Sequence, residues 1–296
     1  GPGGIGGFLA AVFWKNKIEV TCIGTDNDTE AIKKNGFHLS SKVFGDFIAR
    51  PGAETNLNFR PDILLITTKA VFLDEALNKI NPSLVSDSVI IPLLNGFEHI
   101  GIIRKKLGNR VAVGMIGNIE VRLNAPASAV HLTDSQPQVE IASDGDIDKA
   151  KLLEIAGLFS SFGIPVKVLN RESEVIWNKL TRLNAIALTT AASQQPLGFV
   201  RADSWWREKL IGIVREGVGV AKAEGADLDP GLVLKQIDSL PENLTTSLQR
   251  DVASGLLSEA EAIPGAVLRL AKKYHLPHQN LEEVFQLLKK RIDLKN

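Results

Sequence analysis

The chain has 296 residues, of which 44% are hydrophobic, and it balances 34 Lys and Arg against 34 Asp and Glu. A neutral balance without a basic run leaves no electrostatic footprint for nucleic acid or an anionic membrane surface, and no apolar stretch approaches the roughly 20 residues of a membrane span. The length suffices for two ordinary cores, and a single cysteine, Cys22, excludes an intrachain disulfide and suits the cytosol.

The chain opens on GPGGIGG, where Gly1, Gly3 and Gly6 have G-x-G-x-x-G spacing ahead of the apolar run FLAAVFW. Glycines so placed let the backbone approach a pyrophosphate, which then meets the amides of Gly4, Ile5 and Gly6 at a helix start. The motif by itself is also compatible with a plain glycine-rich turn. The β-branched run Ile18 to Ile23 follows at the distance a βαβ unit requires and favours the dinucleotide reading. The strand expected ahead of Gly1 is absent from the sequence, as is an initiator Met, so further residues are expected before it.

Apolar strands are then predicted at Ile63 to Thr67, Ser88 to Leu93 and Val111 to Gly114, with helices at Leu73 to Ile80 and Phe97 to Leu107 between them. Runs of this kind are buried on both faces, as in a parallel sheet flanked by helices. Shorter strands follow near Ala129 to Leu132 and Gln138 to Ala142, then a helix at Ile147 to Phe162. From about Glu172 the strand signals stop. Long helical periodicities take over, at Trp205 to Ala223, Leu256 to Tyr274 and Leu281 to Ile292. The expected fold is thus an α/β Rossmann-type domain over 1–168 and an all-helical domain over 169–296.

Within EVIWNKLTRLNAIALTT, residues Val175, Ile176, Leu180, Leu183, Ile186 and Ala187 form an apolar stripe that includes Lys179. A lysine there either snorkels at the domain edge or faces a cleft, where desolvation lowers its pKa and makes it a better acid near neutral pH.

Taken together, GPGGIGG, TTKA with Lys69, PLLNG with Asn95 and Gly96, IWNKL with Trp177 and Lys179, TTSLQRD with Ser247 and Asp251, and SEAEAIPG with Glu259 and Gly265 resemble the ketopantoate reductases, also called 2-dehydropantoate 2-reductases. The resemblance covers nearly the whole chain. It implies a Rossmann domain that binds NADPH, a helical domain that closes over it, and reduction of ketopantoate to pantoate on the way to pantothenate and coenzyme A. Lys179 then matches the general acid, Asn95 a residue near nicotinamide and substrate, and Lys69 a cofactor contact. Ser247 matches the group that holds the substrate carboxylate, and Glu259 the one that orients the substrate hydroxyl.

The sequence departs from the family where the substrate is read. The family's usual asparagines fall on Leu183 and Ala187 here, with Asn184 one step off as the remaining candidate, and Pro264 stands where another Asn is frequent. A related 2-oxo acid is therefore an alternative substrate. After the second strand the family commonly has an Arg for the 2′-phosphate of NADPH, whereas this chain has Thr25, followed by Asp26. An acidic residue there suits the ribose hydroxyls of NAD. Thr25, Asn27 and Lys33 or Lys34 are the candidates for holding a phosphate, so NADP is expected on the resemblance, with NAD as the alternative.

Two other function classes are compatible with the residues: a different two-domain hydroxyacid or opine-type dehydrogenase, and a catalytically idle dinucleotide sensor. No metal site is expected, since the pair His275 and His278 has no further ligand nearby. Trp205 and Trp206 are expected as core or homodimer contacts, and Glu261, two residues from Glu259, as solvated.

Overall fold

The structure, a computed structural model, describes residues 1–145 and 147–294. The chain divides into two compact units, the first comprising Gly1–Leu94 and His99–Val175, the second Asn95–Glu98 and Ile176–Asn296. The change from one to the other thus falls inside a helix, a little after the expected boundary at Val168. The excursion Asn95–Glu98 had no counterpart in the sequence reading.

In the first unit the elements run α1 (Gly4–Lys15), β1 (Thr21–Ile23), α2 (Asp26–Asn35), β2 (Phe37–Ser41), β3 (Gly45–Ala49), β4 (Gly52–Glu54), β5 (Ile63–Ile66), α3 (Leu73–Asn78) and β6 (Val89–Pro92). They continue with α4 (Glu98–Leu107), β7 (Val113–Gly117), β8 (Val121–Ala125), β9 (Ser128–His131), β10 (Gln138–Ala142), α5 (Lys149–Ser161) and β11 (Val166–Val168). Parallel pairs are β1 with β4, β5 with β6, β2 with β9 and β10 with β11. The apolar runs read as a parallel sheet do pair in parallel, β5 with β6 and Ile90 with Val111, whereas β2 with β3, β7 with β10 and β8 with β9 pair antiparallel. The reason is local. FHLSS alternates buried and half-exposed residues along β2, the pattern of a strand with one face in the core, and such strands pair readily in hairpins.

The core of this unit forms around α1, whose Phe8, Leu9, Ala11 and Val12 are buried to within 1%. Cys22 is buried and free, and burial pushes its thiol up to about 11, so it is inert packing material.

The second unit is helical, with α6 (Glu172–Ser193) entering from the first unit, then α7 (Leu197–Ala202), α8 (Ser204–Ala223), α9 (Pro230–Asp238), α10 (Ser247–Ala253), α11 (Ala266–Lys273) and α12 (Gln279–Asp293). Aspartates cap α8 and α9, where Asp203 accepts from Trp206 N–H at 3.0 Å and Asp229 from Leu232 N–H at 2.8 Å. The start of α12 is satisfied from another helix: the buried Glu216 carboxylate of α8 accepts from the backbone of Asn280 at 2.9 Å and of Leu281 at 2.7 Å.

The helix expected over Leu256 to Tyr274 is a further correction. Leu256 to Ser258 are irregular, Glu261–Gly265 form a π-turn, and only then does α11 begin. Pro264 explains the turn. Proline has no N–H to give the carbonyl of Ala260, so Gly265 donates to it instead, at 2.9 Å and one residue further along.

Candidate functional site

The glycine turn lies in the first unit. Gly3 is the N-cap of α1, no side chain caps the helix, and its first turn contains no acid. The opening amides are therefore left to an outside acceptor. A Cβ at Gly3 would meet no protein atom within 4 Å, so the space beside these amides is open, as a pyrophosphate requires. Gly6 is needed for the opposite reason, since a Cβ there would run into the carbonyl of Gly1 and the hydroxyl of Thr67. Thr67, at the end of β5, donates to Gly1 O at 2.9 Å and ties the glycine turn to the sheet. Beside it the buried Thr68 hydroxyl has no protein partner. These residues fit a dinucleotide. Lys69 follows as the cap of a single 3-10 turn, Ala70–Phe72.

Thr25 has a different task from the one expected. Its hydroxyl donates to Asp28 Oδ2 at 2.7 Å and accepts from Asp28 N–H at 3.2 Å, while its own N–H donates to the same carboxylate at 3.1 Å. This is a complete capping box for α2, and it leaves the hydroxyl no capacity to hold a phosphate.

Lys179, Asn95 and Glu259 all lie in the second unit. Lys179, partly buried on α6, donates from Nζ to Asn95 Oδ1 at 2.8 Å. The Asn95 amide then donates from Nδ2 to Glu259 Oε2 at 3.1 Å, and Glu259 is only 6% exposed. Desolvation pushes the Lys179 ammonium down from 10.5 to about 8; the Glu259 carboxylate opposes this fall, and Arg182 adds to it.

The chain brings these three residues together through Gly96. Its φ is +84°, and a Cβ would strike the carbonyl of Ala262 in the π-turn, so only glycine lets the Asn95 segment lie against that turn. Arg269 reinforces the junction, pairing with Glu98 at 2.6 Å and Glu261 at 2.8 Å. Glu261 is thus exposed but paired. Phe97 packs on the buried Trp177 with ring centroids 5.8 Å apart.

Two further expected substrate contacts, Ser247 and Asn184, lie on α10 and α6. Ser247 is exposed at the first position of α10, whose cap Thr246 meets Thr190 of α6 at 3.1 Å; Thr190 lies about 16 Å along the helix axis from Lys179. Asn184 is fully buried, with both amide atoms unpartnered, about 140° round α6 from Lys179. Asn184, the remaining candidate for a substrate contact, therefore lies on a different face of α6 from Lys179. The lysine face carries Leu183 and Ala187 instead. Thr67, Gly96 as a packing contact, and Arg269 were missed in the sequence, and only the PLLNG motif signalled any of them.

The model of the family described as "Ketopantoate reductase PanE/ApbA" matches residues 1–143, and that of its C-terminal part matches 173–292. An uncharacterized oxidoreductase of Bacillus subtilis (strain 168), YkpB, is 25% identical over 96% of this chain and 95% of its own. A 2-dehydropantoate 2-reductase of Lactococcus lactis subsp. lactis (strain IL1403) is 25% identical over 99% of this chain and 97% of its own. Among solved structures, a D-mandelate dehydrogenase with NADH and anilino(oxo)acetate superposes with a TM-score of 0.91 at 21% identity, over 100% of this chain and 98% of that one. That likeness shows the fold. With both halves matched by its family models, the chain belongs to the ketopantoate reductase PanE/ApbA family and is an NAD(P)-dependent oxidoreductase.

Proposed function

We propose that the protein reduces a 2-oxo acid to the 2-hydroxy acid, with Lys179 as the general acid. The observation that carries this reading is the hydrogen-bonded chain from Lys179 through Asn95 to Glu259. A nicotinamide dinucleotide held at Gly1, Gly3, Gly4, Ile5 and Gly6, with Lys69 beside them, supplies the hydride. The ketone oxygen then gains negative charge, and an ammonium with a lowered pKa both stabilises that charge and gives up a proton to it. Asn95 keeps the ammonium in place and Glu259 favours its charged form, so the proton is present until it is needed. Ser247 is assigned to the substrate carboxylate and Glu259 to the substrate hydroxyl on the strength of the family relationship.

Ketopantoate, and with it a role in pantothenate and coenzyme A synthesis, is the substrate the family favours. A second reading has a specific observation behind it. One and two turns beyond Lys179 the same face offers Leu183 and Ala187, which provide no hydrogen bond to a hydroxylated substituent. A 2-oxo acid with an aliphatic or aromatic substituent suits that surface. A panel of 2-oxo acids, ketopantoate included, followed by nicotinamide absorbance, tests both readings: no reduction of any member would overturn the function. The buried free thiol of Cys22 favours a cytosolic setting, and a homodimer through the Trp205 and Trp206 helix is the assembly we would test first by light scattering.

A further inference from the structure

Beside the glycine turn lies a second turn, Gly24 to Asp28, at the end of β1. The two are packed together, for a Cβ at Gly24 would lie 3.1 Å from the Pro2 ring on one side and 2.9 Å from Asp28 Cβ on the other. A dinucleotide whose pyrophosphate rests on the α1 amides carries its adenosine ribose past this second turn. Whatever extends from the ribose 2′ position meets the side chains found there.

Those side chains are unsuited to a phosphate. The turn contains two carboxylates, Asp26 and Asp28, and no cation. The Thr25 hydroxyl already gives its one donor proton, the part a phosphate oxygen needs, to Asp28. Of the nearby lysines, Lys33 is drawn to Glu54 at 3.4 Å, and Lys79 is held by Gly24 O at 3.0 Å and Glu75 at 3.3 Å. A ribose diol, by contrast, brings two hydroxyl donors to an acceptor-only carboxylate.

We propose that the turn Thr25–Asp28 makes this protein selective for NADH over NADPH, with Asp26, exposed at the first position of α2, as the discriminating residue. This rests on the reductase reading above and deepens it, and it replaces the NADPH expected from the family resemblance. The mechanism is repulsion between the 2′-phosphate and the two carboxylates, together with the loss of the diol contact.

Calorimetric titration of the full chain with NADH and with NADPH at low salt tests the inference without relying on turnover. NADH is expected to bind at least about tenfold more tightly, the scale of one unfavourable charge pair near a protein surface. Raising the salt is expected to narrow the gap by screening. Asp26→Arg leaves the capping box intact and is expected to narrow or reverse the preference. Equal or tighter NADPH binding by the unmodified protein would overturn the selectivity and leave the reductase reading standing. Binding of neither nucleotide would overturn both.

Discussion

A lysine that gives up a proton near neutral pH must sit where its charge is costly, and Lys179 meets that condition through burial, with Asn95 and Glu259 holding the charged form in place. Lys179→Ala is expected to lower kcat by about a hundredfold or more, with nucleotide affinity nearly unchanged by calorimetry. In the unmodified enzyme the rate is expected to fall above about pH 8 as the ammonium is lost. The same shift acts on stability. Its folded value of about 8 lies below the ordinary 10.5, so between these values the unfolded chain binds more protons and stability rises with pH; below about 8 the full cost of the buried charge is present. Denaturant titrations at pH 7 and pH 9.5 are expected to show this rise, and Lys179→Met to abolish it. Leu183→Asn is expected to move the kcat/KM preference from apolar toward hydroxylated 2-oxo acids, and an unchanged ratio would argue that the substituent lies elsewhere. A cation interrupting an apolar stripe singled out Lys179 but left it between snorkelling and facing a cleft, and its role as an acid was read from the family motifs. Its partners were legible only through the family motifs, since Asn95 is 84 residues away from it in sequence and Glu259 is 164 residues from Asn95.

Among the elements, the π-turn at Glu261–Gly265 shows how one residue type reaches the site from a distance. With an N–H restored at position 264, the Ala260 carbonyl regains an ordinary helical donor and the extra residue must be absorbed on one side. Downstream, α11 buries Ala266, Val267, Leu268 and Ala271, so rotating it would expose a core face. The slack therefore falls upstream, on Glu259. Pro264→Ala is expected to lower kcat/KM about tenfold while Tm stays level or rises, because a helix-breaking residue has been removed. A parallel fall in both would mean that the turn serves only packing. Periodicity located β1, β5, β6, β7, β9 and β10 and the longer helices because burial imposes it on them. It passed over the strands β2, β3, β4, β8 and β11, which are short and take their place from partners elsewhere in the sheets, and it ran one helix through Leu256 to Tyr274 because the apolar spacing of α11 hid the break at Pro264.

For the whole molecule, nucleotide binding and folding are linked. A ligand present at a hundred times its Kd stabilises the state that binds it by about 2.7 kcal/mol, which in a domain of this size is a rise in Tm of several degrees. NADH at saturating concentration is expected to produce that rise in a thermal scan, and a Gly3→Val chain to show none, since its side chain would fill the open space beside the α1 amides. The assignment of Asn95–Glu98 to the second unit bears on heredity as well as chemistry. A crossover at Val175 that exchanged everything downstream with a relative would carry Lys179 and Glu259 but leave Asn95 and Gly96 with the recipient. Such a chimera would inherit the proposed proton donor from one parent and the asparagine that holds it from the other, so the helical half is not a self-sufficient cassette.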